Sequence, residues 1–374
     1  MARQRAEESL PACYAMVHSG LEEIAADEIT RDLAGEVKKA SHGIVAFRLP
    51  ELGREILKLR TVEDVFLFGW GTNDLTHRPS VDLDRIRNWT RKVHWDRLLQ
   101  IHHAIHPKPK GKPTYRLITQ MSGEHGYRRI DAGEALAQGL KGVFPASWKP
   151  AQENAAVEVW LTIRGQQAVC GLRLSDRTMR HRSYKQEHLP ASLRPSVAAA
   201  MVRLAGTAPG MTVLDPMCGA GTILAEQAEL ARQRGAGNVI LWGGDIDRKA
   251  LRAATSNLRK FQPERLEEWD VRKLPIADAS VDRIISNPPF GRQLGAPEEI
   301  AALYRAMIVE MDRVLKPEGR AVLQVGDATP LLDAISPVGW QAQKQYRIRI
   351  LGLPAFLSVW RKRYESSTVV SGEA

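Results

Sequence analysis

The sequence predicts an α/β protein of more than one domain whose C-terminal half is a doubly wound, mostly parallel sheet. Three observations carry that expectation. The chain has 374 residues, enough for two or three hydrophobic cores. From residue 211 onward, apolar runs of strand length alternate with segments of helical period. The first such unit, MTVLDPMCGAGTILAE at residues 211–226, reads strand, glycine-rich turn and helix.

In chain order, residues 14–17, 43–47 and 65–69 read as strands, with helices at 20–33 and 50–59, a small α+β module. Residues 81–99 predict one helix bearing Arg85, Arg87, Arg91, Lys92 and Arg97, and 106–113 is a Pro-rich loop. A strand at 114–120, a loop with His125, Tyr127, Arg128 and Arg129, a helix at 131–141 and strands at 156–163 and 167–172 follow. Residues 176–185 carry five Arg, Lys or His side chains in ten, and a helix is expected over 196–204. Beyond the 211–226 unit come a strand at 238–242, a helix at 248–260, a short strand ending at 268–270 and a strand at 281–285. A helix at 297–315 begun by Pro297, a strand at 320–325 and a helix at 327–335 lead to a final hairpin, 341–351 with 355–364. Alternating units imply a parallel sheet covered on both faces.

Composition narrows the function. Hydrophobic residues at 44% and charged residues at 26% are ordinary for a globular chain. No apolar run reaches membrane-spanning length and the first residues lack the apolar stretch of an export signal, so a cytoplasmic protein with no membrane partner is expected. The net charge of +10 points to a polyanionic partner. Residues 1–84 carry 10 basic and 15 acidic side chains (net −5), residues 85–188 carry 19 and 8 (net +11) and residues 189–374 carry 24 and 20 (net +4). The excess therefore lies in the middle third, where a nucleic-acid backbone is the expected ligand and a solvated basic face the plainer alternative. Cys13, Cys170 and Cys218 are too far apart for a disulfide framework or a thiolate metal cluster. His94, His102, His103 and His106 lack neighbouring carboxylate or Cys ligands, and Pro107 interrupts their helix. They read as surface residues able to touch phosphate, and no metal is expected.

The turn at 218–221 is the centre of the chemistry. Glycines let backbone amides approach a ligand, and the helix beginning at Thr222 adds exposed N–H donors. A P-loop needs Lys and Ser or Thr after its second glycine, where this chain has Thr222 and Ile223, and the third glycine of a dinucleotide fingerprint is replaced by Leu224. A nucleoside-type ligand without phosphates remains. Asp215 precedes the turn, and GGDID at 243–247 closes the next strand at the offset of a ribose-binding carboxylate. The plainer alternative is that Asp247 caps the following helix and Asp245 ends a strand. The strand at 281–285 stops at Ser286-Asn287-Pro288-Pro289-Phe290-Gly291, a rigid extended turn, which taken alone also reads as a loop with a buried Phe.

DPMCGAGT, GGDID and SNPPFG, in this order and spacing, resemble the cofactor and catalytic motifs of Rossmann-like class I methyltransferases that modify exocyclic amines. The phrases HSGLEEIAADEI and LRTVEDVFLF are similar to the ferredoxin-like domain that precedes THUMP domains, and TYRLITQMSGEHGYRRIDAGEAL with VEVWLTIRG and AVCGLRLS looks like a THUMP domain, which in that family grips the acceptor end of tRNA. The resemblance covers nearly the whole chain and is most specific over 211–291. It implies a ferredoxin-like module at 1–73, a THUMP domain at 74–182, a linker and leading helix at 183–205 and a Rossmann-like methyltransferase domain at 206–374.

The activity it implies is transfer of methyl from S-adenosylmethionine to the N2 amine of a guanosine in tRNA, as in the family acting at position 6 of the acceptor stem. A 23S rRNA guanine-N2 enzyme shares much of this layout, and a non-catalytic RNA-binding protein with a degenerate fold is the rival of another class. The implied catalytic residues are Asn287, Pro288, Pro289 and Phe290. The Asn287 side-chain oxygen and the Pro288 carbonyl accept the amine's hydrogens and favour its pyramidalisation, while Phe290 stacks on a flipped base. The implied cofactor residues are Pro195, Asp215, Cys218, Gly219, Gly221, Thr222, Asp245, Ile246, Asp270, Val271 and Asn287. Asp270 is placed to accept from the adenine amine, or else is an exposed loop acid. Arg91, Lys92, Arg128, Arg129, Arg180, Arg182 and Lys185 are the expected RNA contacts, and a monomer is expected. Ala220 stands where many relatives have Ser or Thr, which leaves backbone binding intact.

Overall fold

Strand-forming segments of the first half pair into one sheet rather than two. The computed structural model describes residues 10–106, 112–190, 192–235, 237–290, 297–350 and 352–363. The Pro-rich stretch 107–111, Gly291 and the expected hairpin ends 351 and 364 lie outside the described residues. Two compact units emerge, Met1–Val17 with Ala25–Met179 and His18–Ile24 with Arg180–Ala374.

The first unit contains strands β1 (Cys13–Met16), β2 (Glu36–Ser41), β3 (Ile44–Arg48), β4 (Asp64–Thr72), β5 (Thr114–Ser122), β6 (Lys149–Pro150), β7 (Val157–Arg164) and β8 (Gln167–Arg173). They form an eight-stranded sheet in the order β2-β3-β1-β4-β8-β7-β5-β6. The division expected at residues 73/74 is therefore not a boundary between compact units: β4 pairs antiparallel with β8, with Phe66 opposite Arg173. Arg173 fastens this seam, reaching Asp64 at 2.7 Å on β4 and Glu158 at 2.8 Å on β7. The guanidinium is well inside the sheet and both acids satisfy it, as burial of a charge requires.

Helices α1 (Glu22–Leu33), α2 (Pro79–Arg91), α3 (Trp95–Ile105) and α4 (Arg129–Gly139) supply apolar side chains such as Ile29, Ile86, Leu98 and Leu136 to one core with Val45, Leu67 and Leu161. The single helix expected over 81–99 is two. Trp95 turns into the core, and its indole donates to the Thr90 carbonyl at 2.8 Å, which ends α2 and starts α3 in a new direction. The helix expected over 50–59 is one short 3₁₀ turn, Arg54–Lys58. The sequence pattern does not predict the edge strand β2, because EVKKAS has no buried apolar alternation; its lysines suit an unpaired edge. His102 is not a surface residue: it is 6% exposed, and burial first, then His106 and His103, push its pKa down to about 3.

The second unit holds β9 (Thr212–Asp215), β10 (Ile240–Asp245), β11 (Arg265–Glu268), β12 (Val281–Ser286), β13 (Leu315–Val325), β14 (Gln341–Ile350) and β15 (Leu353–Arg361). Their order is β11-β10-β9-β12-β13-β15-β14. Pairings from β11 to β13 are parallel, and the β14–β15 hairpin adds antiparallel to β13. After the four-residue α5 (Arg177–Arg180), helices α6 (Pro195–Ala205), α7 (Thr222–Gln233) and α8 (Arg248–Leu258) cover one face, with Val197, Leu224 and Leu258 in its core. On the other face, α9 (Pro297–Val314) and α10 (Thr329–Ile335) bury Met307, Met311 and Leu331. The alternating sequence pattern thus gives the doubly wound α/β fold it predicts. His18–Ile24 belongs here too: the Ser19 carbonyl accepts from the Arg349 amide at 2.9 Å, and Leu21 joins Ile348 in one core. The strand order runs outward in both directions from β9. Its carboxyl end and that of β12 are consequently the switch point, where a doubly wound sheet opens a crevice.

Candidate active site

The turn after β9 owes its shape to two left-handed glycines, Gly219 (φ 53°) and Gly221 (φ 75°). A Cβ on Gly221 would lie 2.8 Å from Leu258 Cδ1, so this glycine lets the turn pack on α8. A Cβ on Gly219 would meet no heavy atom of the described residues within 4 Å, so the backbone there is bare toward the crevice. The Cys218 amide donates to the Gly244 carbonyl and the Gly219 amide to Asp245 Oδ2, both at 2.9 Å, which joins the turn to the end of β10. Asp245 Oδ1 accepts from the Asp247 amide at 3.0 Å, and Asp247 caps α8 by accepting from the Lys249 amide at 2.7 Å. The capping alternative therefore holds for Asp247, whereas Asp245 is oriented by two backbone amides beside the bare turn. Gly244 is a packing glycine: a Cβ would sit 2.1 Å from Trp269 Cε2, and the Trp269 indole donates to the Pro216 carbonyl at 3.0 Å.

Asp215 is 1% exposed and accepts from Ser286 Oγ at 3.0 Å and the Met217 amide at 3.3 Å. Burial pushes its carboxyl up to about 7, with nearby Asp245 adding to the rise and the two hydrogen bonds opposing it. The bond to Ser286 ties the end of β9 to that of β12 and so places Asn287, the next residue, at the crevice. Asn287 Oδ1 is buried and accepts no hydrogen bond among the described residues. The following loop is held from two sides. Tyr304 donates its hydroxyl to the Pro289 carbonyl at 3.1 Å, and the Phe290 ring lies on Gly326, where a Cβ would approach Phe290 Cδ2 to 2.6 Å. The Cys218 thiol is pushed well above its usual range by burial and then by Asp215 and Asp245, so it stays protonated and is no nucleophile.

The crevice has two lobes of about 480 Å³ and 510 Å³, which share Met217, Asp245, Ile246 and Pro289. Volumes of this size suit a cofactor-sized ligand. Of the expected site residues, Asp215, Cys218, Gly219, Thr222 and Asn287 line the first lobe, and Asp270 and Val271 the second. Arg272 holds the Asp270 carboxyl below its usual range and contacts it at 2.6 Å, which occupies part of its acceptor capacity. Pro195 lines neither lobe; it is buried as the first residue of α6, and Ser192 and Leu193 form the wall instead. Gly221, Pro288 and Phe290 stand behind the lining rather than on it. Tyr304 and Gly326 carry no mark in the sequence, because one is a core-spaced helix residue and the other a lone glycine after a strand.

One of the expected RNA contacts, Arg182, is structural, and a second, Lys185, is half-buried. Arg182 is buried and ion-paired with the fully buried Glu226 at 3.1 Å, beside the Tyr184 hydroxyl, which donates to the same carboxylate at 2.7 Å. Lys185 is half-buried, donates to the Leu193 carbonyl at 3.2 Å and is pushed down to about 8 by burial and then by Arg194. A charge sunk as deeply as Arg182 cannot reach a phosphate, so that assignment is corrected, whereas Lys185 is tied to the Leu193 carbonyl but only half-buried. Arg180 is half-buried. In the first unit Arg91 and Lys92 are exposed at the end of α2, and Arg128 and Arg129 at the start of α4, Arg128 pairing with Asp131 at 3.0 Å.

Residues 182–354 match the family model described as the RMKL-like methyltransferase domain. This segment belongs to that methyltransferase family. Over 318 residues the chain is 29% identical to a tRNA (guanine(6)-N2)-methyltransferase of Thermus thermophilus, covering 83% of this chain and 87% of that protein. A Bos taurus protein, tRNA (guanine(6)-N(2))-methyltransferase THUMP3, is 30% identical over 67% of this chain, which spans about half (52%) of its length. The crystal structure of TrmN from Thermus thermophilus superposes with a TM-score of 0.76 at 26% identity, over 94% of this chain and all of that one. The cofactor of the methyltransferase domain is S-adenosylmethionine. The residues present fit it: the bare Gly219 backbone, the amide-oriented Asp245 carboxylate and the 61% exposed Ile246 face the same crevice.

Proposed function

We propose that this protein transfers a methyl group from S-adenosylmethionine to the exocyclic N2 amine of a guanosine in tRNA, in the acceptor stem at position 6. The observation that carries the reading is Asn287: a buried carbonyl oxygen with no hydrogen-bond partner among the described residues, at the carboxyl end of β12 on the wall of the cofactor crevice. An exocyclic amine is a poor nucleophile because its lone pair is delocalised into the ring. Asn287 Oδ1, with the Pro288 carbonyl, accepts the amine's hydrogens and turns that lone pair out of the plane toward the methyl donor. Tyr304 and Gly326 hold the loop from behind, Phe290 packing on Gly326 rather than lining the crevice, and this fixes where Asn287 stands. When bound, the cofactor would supply an electrophilic methyl group, and the amine held by Asn287 and Pro288 would take it and lose one proton to solvent, leaving S-adenosylhomocysteine. Gly219, Asp245 and Ile246 hold the nucleoside part of the cofactor, with Asp270 and Val271 at the adenine end and Asp215, Cys218 and Thr222 beneath the turn.

The choice of guanine N2 and of tRNA rests on the relative of similar length from Thermus thermophilus. The first unit acts as the RNA-binding half, with its ferredoxin-like and THUMP elements sharing one sheet, and Arg91, Lys92, Arg128 and Arg129 contact phosphate. With tRNA as substrate, the cytoplasm is the proposed location. The test is methylation of tRNA transcripts with labelled cofactor, followed by nucleoside mapping. Asn287→Ala is expected to retain cofactor binding and to lose transfer by roughly a hundredfold or more. Full activity in that variant, or label on an adenine, would overturn the reading.

A further inference from the structure

The turn that faces the cofactor and the segment that walls the crevice opposite it are joined by one buried side chain. Asn257, the penultimate residue of α8, is 2% exposed. Its Oδ1 accepts from the amides of Gln186 at 2.8 Å and Glu187 at 2.9 Å. Its Nδ2 donates to the carbonyls of Glu187 at 3.1 Å and Ala220 at 2.9 Å. Both hydrogens of the amide and both acceptor positions are thus used, and each by backbone. The amides and carbonyls also dictate which way the amide group faces. Ala220 lies between the two left-handed glycines of the turn, and residues 186–187 lead directly into Leu189, Pro190, Ser192 and Leu193 on the crevice wall. Asn257 itself is absent from the lining of either lobe.

We propose that Asn257 is a positioning residue for the cofactor: by pinning residues 186–187 to the Ala220 carbonyl it sets the width of the crevice between the wall and the glycine turn. The inference rests on the cofactor reading above. Any other side chain loses part of the set. Leucine offers no polar atom to four backbone groups, and aspartate, with the same shape, keeps the acceptor arm but turns a second oxygen toward the Glu187 and Ala220 carbonyls. The wall would then be held to α8 while the turn is released.

The test is titration of Asn257→Asp with S-adenosylhomocysteine and S-adenosylmethionine by calorimetry, at a temperature where circular dichroism shows it folded, together with steady-state kinetics on tRNA. The expected result is a rise of about tenfold in Kd and in KM for the cofactor, with kcat at saturating cofactor within about twofold of the unaltered protein. A purely structural role would instead lower kcat and binding stoichiometry through loss of folded protein and leave Kd and KM unchanged. That outcome would overturn the inference. Should Asn257→Asp not fold, Gln186→Pro removes one donor from the other side at an exposed residue, and an unchanged cofactor Kd there would equally overturn it. An unaltered protein that binds neither ligand would refute the cofactor reading itself, whereas normal binding by that protein and by both variants would refute only the role of Asn257.

Discussion

Replacing Asp215 by asparagine removes a titration that the fold makes unfavourable. The carboxyl is fully buried, and its pKa rises from 3.8 to about 7, chiefly through loss of water. A folded-state pKa above the unfolded one means that the native protein binds this proton more tightly. The contribution to stability is therefore full below about pH 4 and is lost as pH rises through about 7. A rise of that size corresponds to about 4 kcal/mol, of which about 3 kcal/mol falls between roughly pH 5 and pH 8. The carboxamide in Asp215→Asn would keep an acceptor for Ser286 Oγ and the Met217 amide without the charge. Urea denaturation of the unliganded protein and of this variant across that range isolates the effect, because other titrations are common to both. The difference in unfolding free energy should move against the natural protein by about 3 kcal/mol as pH rises. A pH-independent difference would show that Asp215 is not strained by burial and that its bond to Ser286 leaves it ordinarily acidic.

Other perturbations reach the remaining contacts. Glu226→Gln takes a carboxylate away from the buried Arg182 guanidinium and should cost about 3 kcal/mol or more in thermal or chemical unfolding, with tRNA affinity of the folded protein unchanged; weakened tRNA binding at unchanged stability would return Arg182 to the RNA interface. Tyr304→Phe frees the Pro289 carbonyl and is expected to lower kcat roughly three- to tenfold at constant cofactor Kd, so a change confined to cofactor Kd would contradict its role in holding the NPPF loop. Arg128→Glu with Arg129→Glu should weaken tRNA binding by about tenfold or more and flatten its salt dependence in filter binding, leaving cofactor affinity untouched. A loss of cofactor affinity instead would remove this loop from the RNA-binding surface.

The second unit is legible because its signals are local. A strand followed by DPMCGAGT, a second strand ending in GGDID and a third ending at NPPF each bring their residues to a carboxyl end over a few positions, and β/α alternation leaves one arrangement that gathers those ends. The same local logic identifies Asp215, Gly219, Asp245, Ile246 and Asn287, all of which line the crevice. Pro195, also expected there, is the buried first residue of α6 and lies outside the lining, two residues past Leu193, which is on it. The first unit is less legible. β2 has polar residues on both faces, the break between α2 and α3 depends on where Trp95 finds its core, and the merging of two expected domains depends on β4 meeting β8.

By itself, then, the sequence determined the doubly wound fold, the glycine turn and the identity of the residues at the strand ends, since each follows from backbone freedom, periodicity and turn chemistry within short stretches. Only the tertiary structure decided which charges are free and which are sunk. Arg182 sits in a run that looks like a solvated cationic linker, yet Glu226 on α7 takes it inside. Likewise, Asn257 resembles any polar residue near a helix end until residues 186–187 and Ala220 close around it. Burial and partnership are properties of segments distant in the chain and near in space, and no local pattern encodes them.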